Sequence, residues 1–365
     1  MTTTWLAHNP RADRNRSYGP EQRAAIDPAA LPDIGRLAVP DKSPTPLLPL
    51  PALAQQLGLG ELRVKDESQR FGFGAFKALG GVFAVHEFVA THKDLRPADI
   101  VFTTASSGNH GRSVAMGAQL VGARCVIFLP KFTSAEKEAA IRARGAEVIR
   151  IDGDYDTAVA ECRRQAEQKG WTIISDTSWE GYETVPRDVM RGYTVMADEI
   201  VHQWPQAPTH LLVQAGVGGL AAALIGYLWA VLPQRPVFIV VEPKSADCWF
   251  QSNLAGKPTL ASGDAETAMG GLACREISPL TWPVIALGAD WFMTIEEDEV
   301  MPARRQYAHP LGQDPAIASG PSGCAGMAGL LRLCSSDEAR RAVGLDKSAR
   351  VLLINSEGNL GEGPA

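Results

Sequence analysis

Three short segments carry residues whose types and spacing suit chemistry on a small ligand. In VFTTASSGNHGRSVAM (101–116) a β-rich run passes through small hydroxyl residues into Gly108-Asn109-His110-Gly111, and a helical pattern begins near Arg112. A strand, a tight polar loop and a helix start put backbone N–H groups and a carboxamide at the positive end of a helix, where they can hold anionic or oxygen-rich groups. In SQRFGFGAFKALGG (68–81) one lysine, Lys77, stands between Ala75-Phe76 and Ala78-Leu79-Gly80-Gly81. A solvated helix lysine rarely has only small and apolar neighbours. Lys77 is therefore a candidate for imine chemistry with an aldehyde cofactor, its pKa expected to be lowered toward neutrality by burial. In HLLVQAGVGG (210–219) an apolar strand runs into Gly216-Val217-Gly218-Gly219, ahead of an Ala-rich helical pattern. Glycines let the backbone approach a phosphate, and the helix N-terminus favours its charge. Taken singly, each segment also reads as a turn, a cap or a surface lysine.

These segments need strands to project them. Strand-like runs lie at 62–65, 100–104, 125–129, 148–151 and 172–175, then at 211–214, 237–241, 291–294 and 351–355. Helical patterns fall between most of them, for example at 135–144, 155–169 and 188–204. The alternation predicts an α/β protein with parallel sheets covered by helices. Residues 1–45 are polar and Pro-rich and lead into SPTPLLPLP, which reads as an extended arm lying on the body.

With 365 residues the chain can bury a large core in two domains. Its 45% hydrophobic and 21% charged content is that of an ordinary soluble enzyme. A formal net charge of −6 gives no electrostatic case for nucleic acid or anionic membrane partners. No apolar run approaches a membrane span, and the first residues have no signal-peptide core, so a cytoplasmic location is expected. The six cysteines are scattered without a CxxC pair, so no metal site is expected, and Cys125 and Cys162 sit in apolar patterns as core residues.

A lysine, an Asn-bearing loop and a glycine phosphate cup, in that order, resemble the fold-type II pyridoxal-phosphate enzymes, the tryptophan synthase β and threonine dehydratase group. Within it the diaminopropionate ammonia-lyase family is most similar. RFGFGAFKALGG (70–81), SGNHGR (107–112), SDTSWEGYE (175–183), AMGGLACRE (268–276) and LLINSEGN (352–359) carry the resemblance. It implies a two-domain fold with the cofactor, pyridoxal 5′-phosphate, between the domains. The large domain would be 46–95 plus 201–365 and the small one 96–200. A homodimer acting on a small amino-acid substrate is also implied.

The resemblance further assigns roles. Lys77 would carry the cofactor and then act as a base at the substrate Cα. Asn109 would bond the cofactor 3′-oxygen, Gly216, Val217, Gly218 and Gly219 its phosphate, and Ser356 its ring nitrogen. Ser106, Ser107 and Gly108 are candidates for the substrate carboxylate or for local capping. Asp176 would be a second catalytic acid/base, or else a strand-end cap on Thr177 or Ser178. Phe76, Trp179, Tyr182 and Cys324 read equally as pocket or core. The family carries an aspartate where Ser107 stands, and 318–326 is less acidic than expected. A single acid then remains, and preference for one enantiomer, L, is expected. The expected reaction is α,β-elimination giving a 2-oxo acid and ammonia. A β-hydroxy amino acid dehydratase, a β-replacement synthase and a non-catalytic binding or regulatory protein of the same fold are the alternatives.

Overall fold

Runs of Val, Ile and Leu form the strands, and helices cross between them, as parallel neighbours require. The computed structural model describes residues 3–359. Its strands are β1 (Leu6–His8), β2 (Leu47–Pro49), β3 (Glu61–Asp66), β4 (Val101–Ala105), β5 (Arg124–Pro130) and β6 (Glu147–Ile151). They continue as β7 (Thr172–Ile173), β8 (His210–Gln214), β9 (Val237–Pro243), β10 (Trp291–Ile295) and β11 (Arg350–Asn355). Seven of them form one sheet in the order β1-β10-β9-β8-β11-β3-β2, and four form a second in the order β6-β5-β4-β7. The small sheet is parallel throughout. The large one is parallel except at its two edges.

The expected strand runs are all present, with ends moved by a residue or two. What the sequence pattern missed are the two antiparallel edges. Leu6 lies opposite Met293, and Leu48 opposite Val64. Both edge strands are three residues long, too short for alternation to register, and β2 ends in proline, which an edge strand tolerates.

Side-chain alternation splits each central strand between two cores. Leu211, Val213, Leu352 and Ile354 join one apolar cluster, whereas Leu212, Val351 and Leu353 join another. Both faces of the large sheet are thereby covered. In the small sheet Ile127 faces one cluster and Val126 and Phe128 face another, which also holds Cys162. Cys125 and Cys162 are core residues, as expected.

The helix Lys77–Thr91 is clamped between Asn109–Val121 and Thr184–Gln203. Close approach rests on small residues: a Cβ on Gly81 would collide with Ser113, and one on Gly192 with the Leu79 carbonyl. This packing fixes the first residue of the helix, Lys77.

Candidate active site

The site segments all leave the C-terminal ends of parallel strands, where open α/β sheets present ligands. β3 leads into the Lys77 loop, β4 into Ser106–Asn109, β7 into Asp176, β8 into the glycine run and β11 into Ser356. The Lys77 loop is stitched to the last of these. Phe76 N–H donates to Ser356 O at 3.0 Å, Gly358 N–H donates to Gly74 O at 2.9 Å, and Ala75 and Glu357 form an antiparallel bridge.

Lys77 Nζ donates to Asp176 Oδ2 in a short ion pair, and both side chains keep partial contact with solvent. Thr177 and Ser178 take their N–H bonds to Ser175 and Ser278 hydroxyls instead. Asp176 is therefore the acid facing Lys77, and the capping alternative falls. Burial alone would lower the Lys77 pKa, but the Asp176 carboxylate outweighs it and holds the ammonium above its ordinary value. The expectation of a lysine shifted toward neutrality is thus overturned for this state. Burial likewise opposes the Asp176 charge, yet His110 and Lys77 more than reverse this and depress its pKa.

His110 is buried beneath this pair. Its Nε2 lies 2.8 Å from Ile174 O, which can only accept, so Nε2 carries the hydrogen. Nδ1 lies 3.8 Å from Asp176 Oδ2 and has no hydrogen-bond partner. Burial lowers the His110 pKa, against Asp176 and with Lys77. The Tyr193 hydroxyl is also buried without a hydrogen-bond partner, beside the Lys77 charge. Such orphaned polar atoms are rare in interiors, and these two lie beside the Lys77–Asp176 pair.

The glycine run turns β8 into the helix Gly219–Val231 with Gly218 as its N-cap. Gly218 has φ +103°, and a Cβ there would lie 2.5 Å from the Trp249 ring, so only glycine fits. The carbonyls of this run point into the protein: Gly216 O accepts from Trp249 Nε1 at 3.1 Å, and Val217 O accepts from Ser278 N–H at 2.9 Å. The N–H groups of Gly216, Val217 and Gly218 have no backbone acceptor among the described residues. Cys274 borders the loop, and burial pushes its thiol up to about 11, which keeps it protonated near neutral pH.

Asn109 opens its helix, with Nδ2 donating to Glu357 Oε2 at 2.7 Å and Oδ1 accepting from Arg112 Nη1 at 3.0 Å. Ser356 is buried, and its hydroxyl oxygen accepts from Gln214 Nε2 at 3.0 Å, leaving its own hydrogen to donate. Ser106 and Ser107 are partly exposed, and Gly108 is exposed. The Ser106 hydroxyl accepts only a long bond, 3.4 Å, from Gly108 N–H. The helix cap itself, Gly108, has no side-chain bond, so capping does not account for these serines.

Compared with known proteins, the sequence matches the family described as "Pyridoxal-phosphate dependent enzyme" over residues 39–357. The chain belongs to this family. A diaminopropionate ammonia-lyase from Escherichia coli (strain K12) is 39% identical over 337 residues, 87% of this chain and 84% of that protein. A crystal structure of holo diaminopropionate ammonia lyase from Escherichia coli superposes with TM-score 0.87 at 35% identity, covering 98% of this chain and 94% of that one. A structure of that lyase in complex with an aminoacrylate-PLP azomethine reaction intermediate gives TM-score 0.86 at 36% identity, with coverage of 98% and 94%.

In this pyridoxal-phosphate dependent enzyme the residues fit the cofactor. The turn, kept as glycine by Trp249 and Cys274, has Gly216 and Gly218 N–H groups with no backbone acceptor among the described residues, and His110 Nδ1 is buried without a partner beside Asp176. The pocket-or-core alternatives also resolve. Phe76 packs on Tyr193 with ring centroids 4.8 Å apart, next to Lys77. Tyr182 is a staple: its hydroxyl donates to Ile173 O at 2.7 Å and accepts from Ser175 N–H at 3.1 Å, pinning the strand end that carries Asp176. Trp179 stacks on Tyr182 under the Arg163 guanidinium. Cys324 is buried against the Pro321 and Val300 carbonyls, away from these residues.

Sequence reasoning missed His110, Tyr193, Gln214, Arg112 and Glu357. His110 and Glu357 adjoin Asn109 and Ser356, and Gln214 is a polar side chain ending an apolar strand, so a signal existed for each. Tyr193 inside a helix is indistinguishable from core.

Proposed function

We propose that this enzyme is an ammonia-lyase that removes the α-proton and the β-substituent of a small α-amino acid, releasing a 2-oxo acid and ammonia. The leading substrate is 2,3-diaminopropionate. The observation that carries the reading is the Lys77–Asp176 pair, partly open to solvent, at the point where five strand-end segments converge. When bound, pyridoxal phosphate supplies an aldehyde for amines and a ring that accepts the electron pair left at the substrate Cα.

The chain's own residues then divide the work. Gly216, Val217, Gly218 and Gly219 hold the phosphate through N–H groups. Asn109 offers an amide hydrogen to the 3′-oxygen, and Ser356 donates its hydroxyl hydrogen to the ring nitrogen. A neutral partner there suits elimination, which needs less carbanion stabilisation than decarboxylation. Ser106, Ser107 and Gly108 bind the substrate carboxylate. Lys77 takes the α-proton, with Asp176 holding the lysine nitrogen and accepting or returning a proton. His110 and Tyr193 line this path. The chain divides into an arm (1–45), a large domain (46–95 and 201–365) and a small domain (96–200), and works as a cytoplasmic homodimer.

Ser107 favours a second reading, a dehydratase of serine, threonine or phenylserine. A serine stays protonated near neutral pH and cannot supply the base an aspartate would. A panel of β-substituted amino acids in both enantiomers, assayed for 2-oxo acid and ammonia, tests both readings. Diaminopropionate should give the highest kcat/KM, with twice as much ammonia as 2-oxo acid, and the L-isomer should be preferred. Equal rates on both enantiomers would refute the preference argued from the missing base at Ser107, and a hydroxy amino acid as best substrate would select the second reading.

A further inference from the structure

Glu357 follows Ser356 directly and has no part in the roles assigned so far. Its carboxylate accepts from Asn109 Nδ2 at 2.7 Å through Oε2 and from Ser322 N–H at 3.1 Å through Oε1. Its backbone pairs with Ala75, two residues before Lys77, and its carbonyl accepts from Gly320 N–H at 3.1 Å. Glu357 thus reaches from the large-sheet segment that bears Ser356, past the lysine loop, to the small-sheet loop that bears Asn109.

The other end of the Asn109 amide is held too. Arg112 Nη1 donates to Oδ1 at 3.0 Å, while Arg112 Nη2 donates to Phe73 O in the lysine loop at 3.2 Å. A carboxylate can only accept and a guanidinium can only donate. Together they allow one orientation of the Asn109 carboxamide and forbid its flip. Of the two hydrogens on Nδ2, Glu357 takes one and a single hydrogen is left for a ligand oxygen. Without Glu357 only Arg112 favours this orientation, and an amide that flips or swings away would turn a lone pair toward an anionic oxygen or lose contact with it.

We infer that Glu357 is a positioning residue, which sets Asn109 as the hydrogen-bond donor to the 3′-oxygen of the cofactor. This rests on the reading of Asn109 given above. Because Ser356 and Glu357 are consecutive, one short segment governs the partners at two edges of the ring, the nitrogen and the 3′-oxygen. The proton balance of the bound cofactor, and not only its affinity, then depends on a residue that need not touch it.

The test is a double-mutant cycle on purified holoenzyme, with Glu357→Ala, Asn109→Ala and the double variant. The readouts are the ratio of visible to near-ultraviolet absorbance of the bound cofactor and the dissociation constant of pyridoxal phosphate. Loss of a charge-assisted hydrogen bond should weaken cofactor binding about tenfold in each single variant and shift the absorbance ratio in the same direction. The double variant should be no worse than Asn109→Ala alone. Should Glu357→Ala fail to fold, Glu357→Gln serves in its place. Its single amide oxygen can accept from Asn109 or from Ser322 but not both, and an intermediate absorbance shift is expected. A wild-type ratio and dissociation constant in folded Glu357→Ala or Glu357→Gln, with Asn109→Ala altered, overturns the inference alone. Additive effects in the double variant do the same. An unaltered Asn109→Ala sinks the inference together with the reading on which it rests.

Discussion

Among the described residues, Lys65 and Lys77 are the lysines that pair with carboxylates away from the open surface, and their environments differ in kind. Lys65, on β3, is fully buried and gives its hydrogens to Thr45 O at 2.7 Å, Glu199 Oε2 at 2.6 Å and Gln203 Oε1 at 2.9 Å. Around it Arg70 bonds both Glu67 and Glu199, and Thr45 bonds Glu67. The network ties the end of the arm, β3 and the helix Thr184–Gln203 together. Lys77 keeps some contact with solvent, bonds Asp176, and has the orphaned His110 Nδ1 and Tyr193 hydroxyl nearby. Burial is the lesser distinction. The lysine whose donors are all satisfied holds the fold, whereas the one set among incomplete bonding is available for chemistry.

The sharpest way to break this comparison is to remove each lysine in turn. Lys77→Ala should lower turnover by about 10³-fold or more while lowering the urea unfolding midpoint of the apoenzyme less than Lys65→Ala does. Lys65→Ala should cost about 3–5 kcal/mol of stability, because Glu199 and Glu67 are left buried with one cation fewer. A Lys65 variant of wild-type stability, or a Lys77 variant that turns over normally, would show that the two sites are misassigned.

Asp176→Asn sharpens the contrast next. Loss of the carboxylate that holds the Lys77 nitrogen should reduce kcat/KM by about 10²- to 10⁴-fold, the range of acid–base contributions. A full-rate variant would leave Lys77 as the sole base. The same pair makes a pH prediction for the apoenzyme. The Asp176 pKa is depressed by folding, so its stabilisation is present above the ordinary carboxylate value, about 3.9, and is lost only as pH falls below it. The Lys77 pKa is raised, so its stabilisation is complete below the ordinary lysine value, about 10.4, and is lost as pH rises beyond it. The difference in unfolding free energy between wild type and Asp176→Asn should therefore stay flat from about pH 7 to pH 9, above the ordinary histidine value of about 6.5, and change below it only as far as His110 titrates against Asp176. A difference that titrates between about pH 7 and pH 9 would mean that one partner is unshifted.

The smallest effect is expected at Tyr182. Tyr182→Phe removes the hydroxyl that joins Ile173 O to Ser175 N–H, at a cost of about 1–3 kcal/mol. Because Asp176 is carried on the released strand end, kcat should fall by less than about tenfold, well short of Asp176→Asn. An effect as large as that of Asp176→Asn would place the Tyr182 hydroxyl in the chemistry itself.

How much of this was legible in the sequence follows from how local each cue is. The glycine turn at Gly216 to Gly219 and the helix start at Lys77 were legible because strand, turn and helix start are contiguous in the sequence. The Asn109 clamp was not, since Glu357 lies 248 positions away and meets it only through the packing of two sheets. The direction of the Lys77 pKa was missed for the same reason. Burial can be guessed from small apolar neighbours, but the carboxylate that overrides it, Asp176, comes from 99 positions along the chain. The Lys65 network was hidden because Lys65, Glu67 and Arg70, read alone, look like a solvated charged run.

The claim that separates the two lysines is tested most directly by reducing the holoenzyme with borohydride and locating the pyridoxyl group by mass spectrometry. The pyridoxyl mass on the peptide bearing Lys77, with Lys65 unmodified, is the predicted result. The label on Lys65 or any other lysine, with Lys77 free, would contradict the account.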